Sequence, residues 1–287
     1  MQEKGDKVTL NEYFDTFMRV FCADLRPRTK EEYWRLYRLH IVNTLGSSDM
    51  ESVTPEEIQE TINQAADHGS RSAEAVFVLL RAVFRRALRS RRIDWSPLEA
   101  LDRPKHRQQP GRALTREDLE KARPWLLDEL GLALAAYAGL RRGEIAGLRW
   151  SDVDLANHQI HISRCRQRIG VGEPKSASGC RSVPIDPEIL PLIKAEYSLG
   201  GGYCLPYAPE YLSHRWADVQ RVAGLSQHYR LHDLRHTYIT RLAAAGVPPH
   251  ILQYLAGHAS LSTTSAIYTH ITASDAQDSL ATLYAAR

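Results

Sequence analysis

Apolar positions in the first hundred residues recur with the period of a helix. In "TLNEYFDTFMRVF" the residues Tyr13, Phe14, Phe17, Val20 and Phe21 share a face, and Thr9 with Glu12 has the spacing of a capping box, which predicts a helix start. "TKEEYWRLYRLHIV" repeats that spacing at Thr29 and Glu32 and predicts a second helix. In "TPEEIQETINQAADHG", Thr54 is expected to cap, Pro55 to take the first helical position and Gly69 to end the helix. A fourth helix, from Ser72 to about Arg92, would turn Ala75, Val76, Leu79, Leu80, Val83 and Ala87 inward. Four short helices predict a compact bundle over residues 1–102.

The pattern then changes. "DRPKHRQQPGR" is polar, basic and broken by prolines and a glycine, which predicts an exposed linker over residues 103–113. "LTREDLEKA" restarts a helix, and a second domain is expected over residues 114–287. Inside it only "HQIHISRCRQRIGV" and "RSVPI" alternate and carry β-branched residues as strands do, joined by the turn-rich "GEPKSASG". The fold class is therefore mainly α with a small antiparallel β-hairpin or sheet, in two domains.

Composition narrows this picture without redirecting it. The chain has 287 residues, 43% hydrophobic and 25% charged, enough to build two cores. No run of about 18 apolar residues occurs, and the start "MQEKGDKVTL" is polar, so neither a membrane span nor a signal peptide is expected. Cys22, Cys165, Cys180 and Cys204 form no CxxC pair, which fits a reducing, cytoplasmic setting and argues against a cysteine–zinc framework. The net charge of +3 is mild, but its distribution is not. Arg81, Arg85, Arg89 and Arg92 stand at i, i+4, i+8 and i+11 of "RAVFRRALRSRR", a stripe that suits either a solvated face or a row of DNA phosphates. Arg38 and Lys105 join them as candidates for DNA contact.

The densest polar chemistry lies in "HDLRHTYIT". His232 and His236 are four apart and could face one metal ion, whereas His232 and Arg235 are three apart and could hold a phosphate. The metal reading lacks the glutamate of HExxH, having Asp233 there, and finds no third ligand downstream. Four more stretches bear on the choice. "AGLRRGEIAGLRW" presents Arg141 and Glu144 directly after an apolar helix, and "EPKSASGCRSVPI" puts Lys175 in a turn between strands. "LAGHAS" offers His258 after a helix-ending glycine, and "STTSAIYTHIT" offers Tyr268.

In chain order these stretches read R…K…HxxR…GH…Y, and here the chain resembles the tyrosine recombinases, the phage-integrase family. "GLRRGEIAGLRWSDVD", "LHDLRHTYITRLAAAGV" and "LQYLAGHASLSTTSAIYTH" carry the likeness, over roughly Leu114 to Ile271, and the helical unit before them is similar in size and place to the family's core-binding domain. The resemblance implies a site-specific recombinase that cleaves and rejoins duplex DNA through a 3′-phosphotyrosyl intermediate and a Holliday junction. It makes Tyr268 the nucleophile, Arg141 and Arg235 the phosphate clamp, and Lys175 the proton donor to the leaving oxygen. His232 would be the proton acceptor and His258 a second phosphate ligand, with Glu144 and Asp233 orienting their neighbours. His236 is expected to be a structural hydrogen bonder.

The same resemblance implies no metal, cofactor or ATP, and a homotetramer on two DNA sites that is a dimer or monomer off DNA. An accessory DNA-bending or directionality protein, and association with the nucleoid when DNA-bound, belong to the same expectation. The tail "SDAQDSLATLYAAR" puts Ala276, Leu280, Leu283 and Tyr284 on one stripe, which would dock on its own domain or on a neighbouring subunit. The sequence starts directly at "VTLNEYFDTF", which leaves no room for the arm-binding domain of many phage integrases. The simpler type without arm sites is expected, with a longer protein that carries such a domain as the alternative. Integrase or excisionase of a mobile element is the leading role. An Xer-like dimer resolvase, a type IB topoisomerase and a non-enzymatic DNA-binding protein are the alternatives.

Overall fold

The computed structural model describes residues 7–105, 111–167, 170–172, 179–197 and 202–257. The chain divides into two compact units, 1–109 and 110–287, each with its own hydrophobic core.

The first unit is built from four helical segments. α1 (Leu10–Thr16) starts with the predicted box: Thr9 N donates to Glu12 Oε2 at 2.8 Å and Glu12 N to Thr9 Oγ1 at 3.3 Å. It runs into one π-helical turn, Phe17–Phe21. α2 (Pro27–Leu36) does the same into Tyr37–Ile41. The expected box at Thr29 does not form. Pro27 starts the helix three residues earlier, because its fixed φ suits the first turn and its missing N–H is not needed there. Glu32 instead takes two hydrogen bonds from Arg35, at 3.0 and 2.8 Å. α3 (Pro55–Ala66) carries the Thr54–Glu57 box and Pro55 as expected. It ends before Gly69, which with φ +106° turns the chain into α4 (Ser70–Arg89). Arg92 lies beyond α4, so the helical stripe is Arg81, Arg85 and Arg89.

The core of this unit mixes aromatic and aliphatic side chains. Phe14 stacks on Tyr37 with centroids 3.7 Å apart, and Trp34 meets Phe14 edge-on at 5.1 Å. Ile58 and Ile62 of α3 and Val76, Leu80 and Val83 of α4 belong to the same buried cluster. Each fully buried side chain of this size contributes about 1.5–3 kcal/mol of transfer free energy.

The second unit is arranged around a helix with no solvent-facing side. α5 (Arg116–Asp128) is capped by Thr115, whose Oγ1 accepts from Asp118 N at 3.1 Å. Every residue of α6 (Leu130–Tyr137) is buried, as its all-apolar sequence requires. α7 (Arg142–Gly147) follows. Next come the strands β1 (Val153–Asp154), β2 (Gln159–Ile162), β3 (Cys165–Gln167), β4 (Gly170–Gly172) and β5 (Arg181–Pro184). β1, β2 and β5 form an antiparallel sheet in that order, with Ile160 opposite Val183 and Ile162 opposite Arg181.

The single strand expected over "HQIHISRCRQRIGV" is broken at Ser163 and Arg164, and β3 pairs with β4 as a separate hairpin. The close approach of α7 fits this break: a Cβ on Gly147 would stand 3.0 Å from Arg166 N, so β3 runs against that helix and not along the sheet. α8 (Leu190–Glu196), α9 (Tyr211–Ala223), α10 (Leu231–Ala244) and α11 (Pro249–Ala256) complete the described part. Trp216, Tyr137 and Tyr229 are the largest fully buried side chains of this unit. The fold is mainly helical with small antiparallel sheets, as the sequence predicts. Among the described residues no helix is long and apolar enough to cross a membrane.

Candidate active site

Three elements of the second unit converge on the C-terminal end of α11. The first is the turn between α6 and α7. Gly139 has φ +64°, and a Cβ there would lie 2.4 Å from Tyr238 Cδ1 of α10, so only glycine fits this turn. The turn delivers Arg141 to the N-cap of α7, where Glu144 reaches back to it. Arg141 N donates to Glu144 Oε2 at 2.9 Å, and Arg141 Nη1 to Glu144 Oε1 at 2.7 Å. Arg141 Nη2 donates to the carbonyls of Ala256 and Gly257, at 3.0 and 2.8 Å.

The second element is α10. Its start is capped by Asp233, which accepts from Arg230 N at 2.7 Å and from the Arg230 guanidinium, and which also receives Arg112 N at 3.3 Å. Asp233 thus anchors the helix that carries His232 and Arg235. The Arg235 side chain is only 2% exposed and donates to the carbonyls of Gly139 and Ala256. His232, one turn earlier, faces solvent.

The third element is β5, and its contribution was not anticipated. Arg181 is fully buried and forks onto Glu144, with Nη1 to Oε1 and Nη2 to Oε2 both at 3.1 Å. Its Nε donates to Leu255 O at 2.8 Å. One sequence signal could have found it: in "RSVPI" Arg181 alternates with Val183 and so points to the same inner face.

Glu144 sits at the centre of this charge cluster. Burial opposes its ionisation, but the hydrogen bonds and charge of Arg181, with the charges of Arg141 and Arg235, outweigh burial and lower its pKa to about 2. Burial and Arg141 lower the pKa of Arg235 to about 9, against Glu144, so it remains a cation at neutral pH. Crowding by surrounding protein, then Arg235 and Arg141, hold the His232 imidazole below its ordinary range, although its outer face is open. A neutral ring can accept a proton. Two guanidiniums, a buried carboxylate and a neutral histidine at the rim make a site for an oxyanion whose charge grows during reaction.

Arg141, Glu144, His232, Asp233 and Arg235 are therefore brought into one region. Lys175, His258, Tyr268 and the tail stripe Ala276, Leu280, Leu283 and Tyr284 lie outside the described residues. Among the described residues no three histidine, cysteine, aspartate or glutamate side chains are grouped to hold a metal ion. In the first unit Arg81, Arg85 and Arg89 are exposed and line a cavity of ≈ 680 Å³ with Arg103, Glu99 and Asp102. Arg38 lies over the Trp34 ring, its guanidinium carbon 5.2 Å from the centroid, Arg92 is partly buried, and Lys105 is exposed.

Arg141, partly exposed, and Arg235, buried, meet beside one buried carboxylate, an arrangement suited to binding an anion; comparison with known proteins gives the class. Residues 116–275 match the phage integrase family, and residues 9–65 match the phage integrase N-terminal SAM-like domain. The chain belongs to the phage integrase family and is a site-specific tyrosine recombinase, an enzyme that exchanges DNA strands.

It is 26% identical to the putative prophage phiRv2 integrase of Mycobacterium tuberculosis, over 90% of this chain and 74% of that protein. It is 32% identical to tyrosine recombinase XerC 2 of Ralstonia nicotianae, over 67% of this chain and 59% of that one. Its fold is similar to that of the Tn1549 transposon integrase in complex with a circular intermediate DNA, with a TM-score of 0.76 at 22% identity, covering 95% of this chain and 98% of the other. It is likewise similar to a lambda integrase tetramer bound to a Holliday junction, with a TM-score of 0.75 at 22% identity, covering 92% and 78%.

Proposed function

We propose that the chain is the integrase of a mobile element and that the site around Glu144 is its phosphoryl-transfer centre. The observation that carries this reading is the convergence of Arg141 and Arg235, from separate elements, on one buried carboxylate and the Ala256 carbonyl. Arg141 and Arg235 clamp the non-bridging oxygens of the scissile phosphate. His232 accepts the proton of the Tyr268 hydroxyl as that oxygen attacks phosphorus, the bond to the 5′-oxygen breaks, and Lys175 protonates the departing oxygen. The phosphodiester energy is kept in the 3′-phosphotyrosyl bond, so rejoining needs no external energy source. His258 bonds the phosphate, and loss of either clamp arginine raises the barrier by about 3–4 kcal/mol.

The first unit, residues 1–102, grips the duplex through the α4 arginines, and residues 103–113 link it to the catalytic domain, residues 114–287. The working assembly is a homotetramer on two DNA sites, as in the lambda integrase tetramer on a Holliday junction. The mobile-element role is supported by the prophage integrase relative, aligned over most of this chain. A dimer-resolving role is the second reading, favoured by the relatives named XerC.

Covalent trapping tests the chemistry. Wild type and Tyr268→Phe are incubated without metal or ATP with fragmented source-genome DNA, denatured, and the protein-attached DNA is sequenced. The expected outcome is an adduct that wild type forms and Tyr268→Phe does not, at equal DNA binding. An adduct that survives Tyr268→Phe overturns the assignment of the nucleophile, and the sequence recovered from the adduct separates an attachment site from a chromosomal resolution site.

A further inference from the structure

Arg181 belongs to none of the roles above, yet its charge is enclosed by protein. Its side chain is 0% exposed, and its four hydrogen bonds run to Glu144 Oε1, Glu144 Oε2, Leu255 O and Gly179 O. A guanidinium has five N–H donors, so almost nothing remains for DNA. Arg181 is not a phosphate ligand and can affect the reaction only through the groups it holds.

Those groups face the clamp. Glu144 is approached by Arg141 from α7, by Arg181 from β5 and by Arg235 from α10, its Oε2 being 4.0 Å from Arg235 Nη1. Three cations share one carboxylate, and the two-pronged bond from Arg181 engages both carboxylate oxygens at once. Paired in this way, Glu144 is balanced by a charge that never meets substrate, and the charges of Arg141 and Arg235 remain available to an incoming anion. Without Arg181 the buried carboxylate would have only the clamp arginines as counter-ions, and it would draw on their charge. The Nε bond to Leu255 O also ties β5 to the last turn of α11, whose next two carbonyls receive Arg141 and Arg235.

We propose that Arg181 is a positioning residue for strand cleavage: it neutralises and orients Glu144 and holds the end of α11, and so sets the aim and free charge of the Arg141–Arg235 clamp. This rests on the reading of the site as a phosphoryl-transfer centre.

The experiment uses a duplex recovered by Tyr268-dependent trapping, prepared once with an ordinary scissile phosphodiester and once with a methylphosphonate at that position. The methylphosphonate is uncharged and makes little demand on the clamp. Arg181→Gln removes the charge, and Arg181→Lys keeps it while giving up the fork and the Leu255 bond together. Single-turnover cleavage of the phosphodiester by Arg181→Lys is expected to fall by about 10–100-fold at unchanged DNA affinity, the size typical of residues that orient a reactive group. Arg181→Gln is expected to fall further.

On the methylphosphonate both variants are expected to come within a few-fold of wild type. Equal losses on the two substrates would mean that Arg181 only supports the fold, and no loss in Arg181→Lys would mean that it does not position the clamp. Either result overturns the proposal, and if Arg181→Gln does not fold, Arg181→Lys alone decides. Failure of the wild type to form an adduct would instead overturn the underlying reading of the site, and this proposal with it.

Discussion

Glu144 is where stability and chemistry meet on one side chain. It is 4% exposed and flanked by three arginines, so replacing it with glutamine leaves buried cations without their counter-charge. Glu144→Gln is expected to lower stability by about 3–5 kcal/mol near neutral pH, as measured by urea denaturation. Its pH dependence follows from the depressed pKa. The contribution of Glu144 is fully present above the ordinary carboxylate value of 4.5 and is lost as pH falls towards about 2. The wild type and the variant should therefore converge in stability over that acid window, and a gap that stays constant would assign the loss to packing. The sequence made Glu144, Arg141 and Arg235 legible because each lies in a short motif at helical spacing. Arg181 was not legible in this way: an arginine at the start of a strand ordinarily faces water, and its burial depends on Glu144, which is 37 residues away in the chain.

At the scale of elements, signals closed within four residues were readable, and signals that needed a neighbour were not. The Thr9 and Thr54 caps are local and form as expected, whereas the Thr29 box lost to Pro27, an equally local but earlier start. The strand split at Ser163 and Arg164 reflects the nearness of α7, which no alternation pattern contains. Two glycines let conformational strain be separated from clash. Gly69 has φ +106° with nothing within 4 Å of an added Cβ, and Gly139 has φ +64° with Tyr238 Cδ1 at 2.4 Å. Gly69→Ala is expected to cost about 1–3 kcal/mol, the penalty of holding a side-chain-bearing residue at φ +106° and ψ 150° with no clash added. Gly139→Ala adds displacement of a ring in a packed core and should cost more, by about a further 1–3 kcal/mol. It should also slow cleavage, because the turn that places Arg141 must move. Denaturation curves of the two variants check the order, and equal costs would show that the Tyr238 ring yields freely.

Across the whole molecule a net charge of +3 is too small to explain DNA binding, so affinity must come from where the cations stand. The first unit concentrates Arg81, Arg85 and Arg89 on the exposed face of α4, while Arg35, also exposed, is paired with Glu32. If the stripe meets phosphates, each contact releases counterions and contributes about 0.9 to the slope of log K against log salt. Replacing all three with alanine, which favours the helix, should flatten that slope by about 2.7 and weaken binding to specific and unrelated duplexes alike. Arg35→Ala should leave the slope where it was, because its charge is already balanced by Glu32. Cleavage by the triple variant at saturating protein should stay near the wild-type rate, since α4 carries none of the groups that hold the reacting phosphate. Titrations over a range of salt concentrations decide the matter: parallel lines for wild type and triple variant would remove α4 from the DNA interface and leave the cavity beside it without a nucleic-acid role.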